Sequence, residues 1–355
     1  MAALPERRPR LASQRETSSI VKQIFNTPRA SGNMPARKTN GSKEVNAPAA
    51  ARTIELVEVG PRDGLQNEAV AITTQSKVAL IEQLIAAGLR RIEAVSFVHP
   101  KRVPQMADAE AVMAALPAHE GVTFIGLVLN EKGALRALQT RVDELGTVVA
   151  ATDSFGLRNQ NQTVADSVTA AVQVMQLARR HGRSAQACIS VAFGCPFEGR
   201  IPMATIVQIA QTLAAADPRE IVLADTIGVA VPDEVSELIA RVQRAINPIP
   251  IRAHFHNTRN TAIANVWAAI SAGARAIDSS VGGIGGCPFA PRATGNVATE
   301  DVLYLLNHSG VTTGVDIDAV IQTAAWCGQL LGRQVPGMVS RAGDFPPPSR
   351  SGRES

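Results

Sequence analysis

Short runs rich in β-branched residues alternate eight times with longer helical patterns from Thr53 onward, and this alternation constrains the fold more than any other feature. In the intervening segments, such as Val78–Ile85 and Ile206–Leu213, apolar residues recur every three or four positions, the periodicity of a helix with one buried face. The predicted strands are Ile54–Val59, Arg91–Val95, Thr123–Leu129, Glu144–Ala151, Ala187–Phe193, Glu220–Ala224, Ile251–His256 and Ala276–Val281. Eight strand–helix units within roughly 250 residues are the number and size typical of a (β/α)8 barrel.

An open, doubly wound α/β sheet is the structural alternative, because periodicity alone does not separate it from a closed barrel. The polar residues favour the barrel, since nearly every unusual polar cluster directly follows a predicted strand, where barrel enzymes carry their chemistry. A further helix is predicted over Asp316–Leu331 and is expected to pack outside the barrel. The prediction is therefore an α/β protein with a (β/α)8 TIM barrel over residues 52–335 and an additional C-terminal helix.

Both ends of the chain differ in composition from the barrel segment. Residues 1–51 are rich in Arg, Ser, Pro and Ala without an apolar segment, which indicates a disordered basic tail or, through the Arg content, a mitochondrial targeting segment. Three glutamates in this stretch weigh against targeting, and an over-long start with Met34 as the true beginning is a further alternative. Residues 336–355, which end in a Pro- and Ser-rich stretch, are predicted to form a flexible C-terminal tail.

Charge and hydropathy exclude two broad classes of function. The formal net charge of +4 comes largely from the basic tail, so nucleic-acid binding has little electrostatic support. No run approaches the roughly 18 uninterrupted apolar residues that a membrane-spanning helix needs. The four cysteines, Cys188, Cys195, Cys287 and Cys327, are scattered without the spacing of a zinc site, which is typical of a reducing compartment. These features favour a soluble, globular protein.

The seventh predicted strand carries the first candidate metal ligands. Side chains two residues apart on a strand point to the same face, so His254 and His256 converge at its end. Two imidazoles placed in this way can bind a metal ion. The alternative is a pair of histidines that are satisfied by hydrogen bonds inside the barrel.

The first predicted strand is followed by an equally polar segment, Pro61–Glu68. Asp63 can supply a hard oxygen ligand, and Arg62 adds a permanent positive charge beside it. Asp63 could equally be a turn residue or a helix N-cap. Only in combination with the histidines does this segment point to a metal site.

The last strand–helix unit contains a glycine-rich loop that ends in a cysteine. Four of the five residues in Gly282–Gly286 are glycine, which permits unusual backbone angles and a close approach of substrate to the backbone. Cys287 at the tip favours a functional thiol over a packing role, because structural cysteines are usually buried. The loop does not match the phosphate-binding P-loop pattern.

Several of these segments together resemble hydroxymethylglutaryl-CoA lyases, a family of divalent-metal-dependent enzymes on a TIM barrel. The motifs that carry the resemblance are Val59–Glu68, Ile92–Val98, Gly194–Gly199, Asp225–Gly228, His254-x-His256, Gly285–Ala290 and Gly295–Asp301. They follow one another in unbroken order over residues 53–335, each near the end of a predicted strand.

The resemblance implies a set of site residues. The metal ligands it implies are Asp63, His254, His256 and Asn296. Catalytic roles are implied for Arg62, Cys287, Glu93 and Asp225, substrate contacts for Gln66, Ser154, Arg158 and Asn159, and supporting positions for Glu58 and Glu300. A carboxylate, an amide oxygen and two imidazoles without a thiolate favour Mg2+ or Mn2+ over a structural zinc ion. The implied partners are an acyl-CoA substrate and a second copy of the chain in a homodimer.

One segment departs from the family pattern. Many members have Asp after the second histidine, followed by Thr and an aromatic residue, whereas Asn257–Asn260 read Asn-Thr-Arg-Asn. The lost acid and the added cation are expected near the acyl pocket. The departure therefore bears on which acyl group is bound and not on the type of reaction.

The implied reaction is the cleavage of 3-hydroxy-3-methylglutaryl-CoA to acetoacetate and acetyl-CoA. Arg62 would offset charge on the thioester oxygen and Cys287 would transfer a proton, while the first base is left open between a histidine, Asp63 and a water molecule at the metal. The alternatives are a lyase for citramalyl-CoA or another 3-hydroxyacyl-CoA, a Claisen-type acyl synthase, and a catalytically silent barrel that serves as a scaffold. The expected location is the cytoplasm, with the mitochondrial matrix as the alternative.

Overall fold

The eight predicted strands form a closed parallel barrel in the computed structural model of the chain, which describes residues 52–286 and 295–345. The strands are β1 (Arg52–Thr53), β2 (Glu55–Glu58), β3 (Arg91–Ser96), β4 (Thr123–Leu127), β5 (Glu144–Ala150), β6 (Ser184–Ser190), β7 (Ile221–Asp225), β8 (Ile251–Phe255), β9 (Ala276–Ser279) and β10 (Val311–Thr312). Each strand from β2 to β8 pairs with the next, and β9 closes the barrel against β2. The predicted barrel is thus confirmed.

Helices surround the barrel and connect its strands. They are α1 (Thr74–Ala86), α2 (Ala109–Ala115), α3 (Glu131–Leu138), α4 (Asp153–Asn159), α5 (Val164–Arg180), α6 (Met203–Ala214), α7 (Pro232–Ile246), α8 (Ala262–Ser271), α9 (Thr299–His308), α10 (Ile317–Leu331) and α11 (Val339–Ala342). The apolar stripe of α1 is buried as its periodicity predicts, with Leu80, Ile81 and Leu84 fully covered. Within the described ranges, every helix is too short or too polar to cross a membrane.

The barrel strands differ from their predicted bounds by one to three residues at an end, and β6 differs most. Strand β6 begins at Ser184 and ends at Ser190, because Val191 has a positive φ of 51° that stops the extended backbone. The predicted outer helix is α10, which begins after Asp316, whose side chain accepts the first free backbone N–H groups of the helix. The short pair formed by β1 and β10 was not predicted, because two-residue strands leave no periodic pattern.

The C-terminal segment is attached to the barrel. Residues 336–345, placed in the flexible tail on the basis of sequence, contain α11. The carboxylate of Asp301 accepts hydrogen bonds from the N–H groups of Met338 and Val339, at 3.2 and 2.7 Å. The N–H of Gly337 donates to the carbonyl of Gly282 at 3.0 Å, which joins this segment to the glycine-rich loop.

The amino-terminal end of the barrel interior holds a buried ion-pair cluster. The side chain of Arg91 is fully buried, and its guanidinium pairs with Glu144 and, at 2.7 Å, with Glu220. One arm of Arg91 also donates to Glu55 at 3.0 Å. Both Glu144 and Glu220 are buried, and Arg91 is the nearest cation to each of them, ahead of Arg219 at Glu144 and Arg252 at Glu220.

We expect the variant Arg91→Met to lower the free energy of unfolding by roughly 3–5 kcal/mol, because it leaves two buried carboxylates without their nearest cation. Urea denaturation at neutral pH measures this. The matched control is Arg219→Met, since Arg219 also pairs with Glu144 but its side chain is 38% exposed. That change is expected to cost no more than about 1 kcal/mol. Equal losses in the two variants would contradict the assignment.

Candidate active site

A cavity of about 820 Å³ opens at the carboxyl ends of the barrel strands, a volume within the usual range of small-molecule sites. The predicted site residues that line it are Arg62, Asp63, Gln66, Glu93, Asn159, His254 and His256. Residues from distant parts of the chain are therefore brought together at the end of the barrel where the chemistry of this fold occurs.

The segment after β2 forms a wide helical turn that presents the first two of these residues. The N–H groups of Asp63 and Gly64 both donate to the carbonyl of Val59, at 2.7 and 3.2 Å, so the turn contains one residue more than an α-helical turn. Such π-type turns are frequent at functional sites, because they re-aim side chains. Here the turn directs Arg62 and Asp63 into the cavity.

Arg62 is held between two carboxylates at the cavity wall. Its Nη1 lies 2.6 Å from Asp63 Oδ1, and its Nη2 lies 2.7 Å from Glu93 Oε2. Glu93 lies where the pairing of β3 with β4 shifts register, after which the pairing resumes at Val95. Burial raises the pKa of Glu93, although the charge of Arg62 opposes this. The two acids fix the direction of the guanidinium.

Asp63, His254 and His256 form a group that could hold a metal ion. Each offers one ligand atom, and these atoms lie within 4.8 Å of one another. Burial alone would raise the pKa of Asp63, but Arg62 and the two histidines hold it well below its ordinary value. Burial and the neighbouring His254 lower the pKa of His256 to about 4. At neutral pH Asp63 is therefore charged and His256 neutral, the forms that bind metals.

Asn296 completes this donor set. Its Nδ2 donates to Asp63 Oδ2 at 2.8 Å and to the carbonyl of Ile284 at 3.2 Å, while its Oδ1 is buried without a hydrogen-bond partner. The Nδ1 atom of His256 is likewise buried and unpaired. Buried polar atoms without partners are rare and costly, so this pattern fits a bound cation. Gly285 is required nearby, because a Cβ there would lie 2.6 Å from Asn296 Nδ2.

The orientation of His254 depends on an acid that sequence reasoning missed. Its Nδ1 lies 3.0 Å from Asp278 Oδ2, which leaves Nε2 for the cavity. Asp278 is in β9 and is buried, and it lines the same cavity. A lone acid inside an apolar strand, Ala276–Ser279, was the signal in the sequence that could have identified it.

Asp225, for which the resemblance implied a catalytic role, is not among the residues that line the cavity. Its two carboxylate oxygens accept the N–H groups of Val229 and Ala230, each at 2.9 Å. Burial raises its pKa against these hydrogen bonds. Both oxygens of Asp225 therefore hold the backbone of the loop after β7.

Of the proposed substrate-contact residues, two lie at the cavity and two outside it. Gln66 and Asn159 line the cavity, and Gln66 Oε1 is buried without a partner. The N–H of Ser154 donates to Glu198 at 3.1 Å, and the guanidinium of Arg158 lies 4.1 Å from the ring centre of Phe197. Neither Ser154 nor Arg158, both in α4, is among the residues that line the cavity.

The segment that departs from the family pattern supports a neighbouring loop. Arg259 donates to the carbonyls of Ile227 and Gly228, at 3.0 and 2.8 Å. The side-chain oxygen of Asn257 accepts the N–H of Ala262 at the start of α8, at 3.2 Å. None of residues 257–260 lines the cavity, which corrects the expectation that the added cation borders the acyl pocket.

Two buried glutamates hold the base of the glycine-rich loop. Glu58 Oε1 accepts the N–H groups of Gly60 and Val281, at 2.7 and 3.0 Å, and Glu300 Oε2 accepts the N–H of Gly282 at 2.9 Å. These contacts place the loop beside the cavity, where Gly286 forms part of the wall. The predicted Cys287 follows Gly286 in the chain and lies outside the described residues.

Burial raises the pKa of Glu300 from 4.5 to about 7. Between these two pKa values Glu300 keeps its proton in the folded protein and releases it in the unfolded chain. The free energy of unfolding therefore falls as the pH rises, by roughly 1.4 kcal/mol per pH unit. We expect Glu300→Gln to lack this contribution. Urea denaturation between about pH 5 and pH 7 should therefore show the difference between wild type and variant changing by roughly 2–3 kcal/mol. A difference that is independent of pH would contradict the shift.

Comparison with known proteins adds to this geometry. The profile of the HMGL-like family matches residues 53–326. The (R)-citramalyl-CoA lyase of Chloroflexus aurantiacus is 40% identical over 304 residues, which are 83% of this chain and 96% of that protein. The hydroxymethylglutaryl-CoA lyase of Pseudomonas mevalonii is 40% identical over 281 residues, 79% of this chain and 93% of that protein.

The similarity extends to solved structures. A hydroxymethylglutaryl-CoA lyase from Acinetobacter baumannii, in complex with coenzyme A and 3-methylmalate, matches with a TM-score of 0.79 and 37% sequence identity. The match covers 83% of this chain and 98% of that one.

Proposed function

The chain belongs to the HMGL-like family, as its motifs predicted, and from that membership we propose that it cleaves 3-hydroxy-3-methylglutaryl-CoA to acetoacetate and acetyl-CoA. One observation carries the proposal: the ion-paired Arg62 lies in the same cavity as Asp63, His254 and His256, the group that could hold a metal ion. Asn296 adjoins this group, because its Nδ2 donates to Asp63 at 2.8 Å. A cation-binding group beside a fixed guanidinium suits a reaction that develops negative charge on two different oxygens.

The reaction breaks the bond between C2 and C3 of the acyl group. The hydroxyl on C3 loses its proton as this carbon becomes the ketone of acetoacetate. The electron pair of the broken bond passes to C2 and the thioester oxygen as an enolate. Protonation of C2 then gives acetyl-CoA. The site must therefore remove one proton, stabilise the enolate oxygen and return one proton.

The metal-binding group is the first part of the proposed machinery. Asp63, His254, His256 and Asn296 would hold Mg2+ or Mn2+, which when bound supplies Lewis acidity toward the hydroxyl and carboxylate oxygens of the substrate. The oxygen and imidazole ligands without thiolate support these two ions. Asp63 and the neutral His256 enter this role without a change of protonation at neutral pH.

Arg62 is the second part. Its guanidinium, held at 2.7 Å by Glu93, would compensate the charge that develops on the thioester oxygen. The side chain of Arg62 is only 12% exposed, so few water molecules screen this interaction. Glu93 acts through Arg62 and is a positioning residue. We assign the proton transfer at C2 to Cys287, the residue after Gly286 in the chain.

A related substrate is the second candidate, favoured by the identity of 40% to a citramalyl-CoA lyase. In citramalyl-CoA the carboxylate is attached directly to the carbon that carries the hydroxyl, one methylene closer than in 3-hydroxy-3-methylglutaryl-CoA. The same bond is broken with the same groups, and pyruvate replaces acetoacetate as the product. One methylene is worth only about 1–3 kcal/mol of discrimination, so the same site can accept both thioesters with a modest preference for one.

The test measures acetyl-CoA release from the purified chain with each thioester, in Mg2+ and after chelation. Metal-dependent cleavage of 3-hydroxy-3-methylglutaryl-CoA with a higher kcat/KM than citramalyl-CoA is the expected result. The opposite ranking would keep the mechanism and replace the substrate. Cleavage that survives complete chelation would contradict the metal role, and cleavage of neither thioester would overturn the proposed function.

We also propose that the chain acts as a homodimer in the cytoplasm, as the family resemblance implied. Light scattering of the purified chain at micromolar concentration tests the first part, and the expected mass is twice 37.4 kDa. Fractionation of the producing cell tests the second part, with recovery in the matrix of mitochondria as the contrary result.

A further inference from the structure

A line of alternating charges runs through the barrel interior to the metal-binding group. The side chain of Arg252, in β8, is 3% exposed and lines the cavity. Its Nη1 lies 3.3 Å from Glu220 Oε1, and its Nε lies 3.2 Å from Asp278 Oδ1. The second oxygen of Asp278 lies 3.0 Å from His254 Nδ1. Arg252 is thus connected to a candidate metal ligand through one carboxylate.

The other end of this line is fixed by the ion-pair cluster. Glu220 Oε1 also lies 2.7 Å from Nη2 of Arg91, which pairs in turn with Glu144. Arg252 therefore forms one ion pair with Glu220, which Arg91 also holds, and a second with Asp278. Since β8 and β9 are directly paired, with Arg252 opposite Ala276 and His254 opposite Asp278, the backbone fixes the same geometry.

Asp278 needs this cation. Its side chain is only 6% exposed, and its two carboxylate oxygens face two basic side chains, with Oδ1 3.2 Å from Arg252 Nε and Oδ2 3.0 Å from His254 Nδ1. The carboxylate of Asp278 accepts a hydrogen bond from His254 Nδ1–H, which leaves the lone pair of Nε2 for the metal. A displaced Asp278 would permit the other tautomer and a rotated ring.

We propose that Arg252 is a positioning residue for the metal ligand His254, and that it acts through Asp278. This inference rests on the proposed function, because it assumes that His254 binds a divalent cation. It assigns no contact between Arg252 and substrate, although Arg252 lines the cavity. Its Nη1 and Nε atoms lie within ion-pair distance of Glu220 and Asp278.

The first experiment measures the affinity of the purified full-length chain for Mn2+, by electron paramagnetic resonance of the free ion and without substrate. Arg252→Met and Asp278→Asn are each expected to weaken Mn2+ binding by about 10- to 100-fold, the usual effect of losing a partner of a metal-bound histidine. Because Arg252 acts through Asp278, the double variant should be no weaker than Asp278→Asn alone. Additive losses would overturn the proposal.

The matched control is Arg219→Met, which removes a cation that pairs with Glu55 and Glu144 but does not contact Asp278. It should bind Mn2+ like the wild type. Arg252→Lys keeps the charge but loses the planar fork, and an intermediate affinity is expected. If Arg252→Met binds Mn2+ normally while the KM for the thioester rises, Arg252 contacts substrate and the proposal is wrong.

A second measurement needs no variant and remains available if Arg252→Met does not fold. Proton–nitrogen correlation spectra of the Mg2+-loaded wild type should show His254 with its proton on Nδ1. A proton on Nε2 would overturn the proposal. These outcomes are separate from those of the proposed function: a chain that binds Mn2+ as expected but cleaves neither thioester would refute only the proposed function.

Discussion

Arg62→Met is expected to lower kcat for thioester cleavage by about three orders of magnitude, the upper range for removing one preorganised donor to a developing oxyanion. Methionine keeps the apolar stem but not the charge that Asp63 and Glu93 hold at 2.6 and 2.7 Å. The loss should appear in kcat more than in KM, because the thioester oxygen gains its charge only along the reaction. Steady-state kinetics with the preferred thioester, at saturating Mg2+, measures it.

Two further variants make this result specific to the guanidinium. Arg62→Lys keeps the positive charge but cannot bridge two carboxylates in a plane, so we expect an intermediate loss. Glu93→Gln keeps Arg62 in place with one neutral partner and should lower kcat less than Arg62→Met. Circular dichroism and the Mn2+ affinity report whether the fold and the metal site are intact. Near-normal turnover in Arg62→Met would remove the catalytic assignment.

Asp63→Asn is expected to weaken Mn2+ binding by on the order of 10³-fold and to reduce turnover at fixed metal accordingly, because it removes the only carboxylate from the proposed ligand group. Electron paramagnetic resonance of the free Mn2+ ion measures the affinity directly. Raising the metal concentration should restore part of the turnover, which a defect in the chemical step would not allow.

The control for this change is an aspartate at the opposite end of the barrel. Asp143 precedes β5, and its carboxylate accepts the N–H of Phe124 at 2.9 Å. Asp143→Asn should leave Mn2+ affinity unchanged. Unchanged affinity in Asp63→Asn would instead exclude Asp63 as a ligand.

The features that sequence predicted best are those in which neighbouring residues determine the outcome. Alternation within a strand places His254 and His256 on one face, and the structure has their ring centres 5.2 Å apart. Likewise, the eight strands and α10 follow from the apolar periodicity and from the cap at Asp316. Both signals are complete within a few residues of the chain.

The features that were missed depend on pairs from different strands. Asp278 meets His254 only because β8 and β9 are adjacent in register, and Arg252 meets Glu220 only because β8 also pairs with β7, which Glu220 precedes. The sequence likewise does not show in which direction a side chain at the end of a strand points. Asp225 follows the motif of the family, yet its carboxylate turns back to the N–H groups of Val229 and Ala230. Loop geometry, which short-range spacing does not specify, makes that choice.

The attachment of residues 336–345 to the glycine-rich loop has a consequence for how this barrel diverges. Gly337 packs on Glu300 so closely that a Cβ would lie 2.0 Å from Glu300 Oε1, and Val335 covers Gly282. A substitution, insertion or fusion after α10 therefore alters the contacts that support a loop bordering the cavity. Sequence drift in residues 336–345, which do not line the cavity, can thus shift the position of Gly286 at the cavity wall without any exchange of a catalytic side chain.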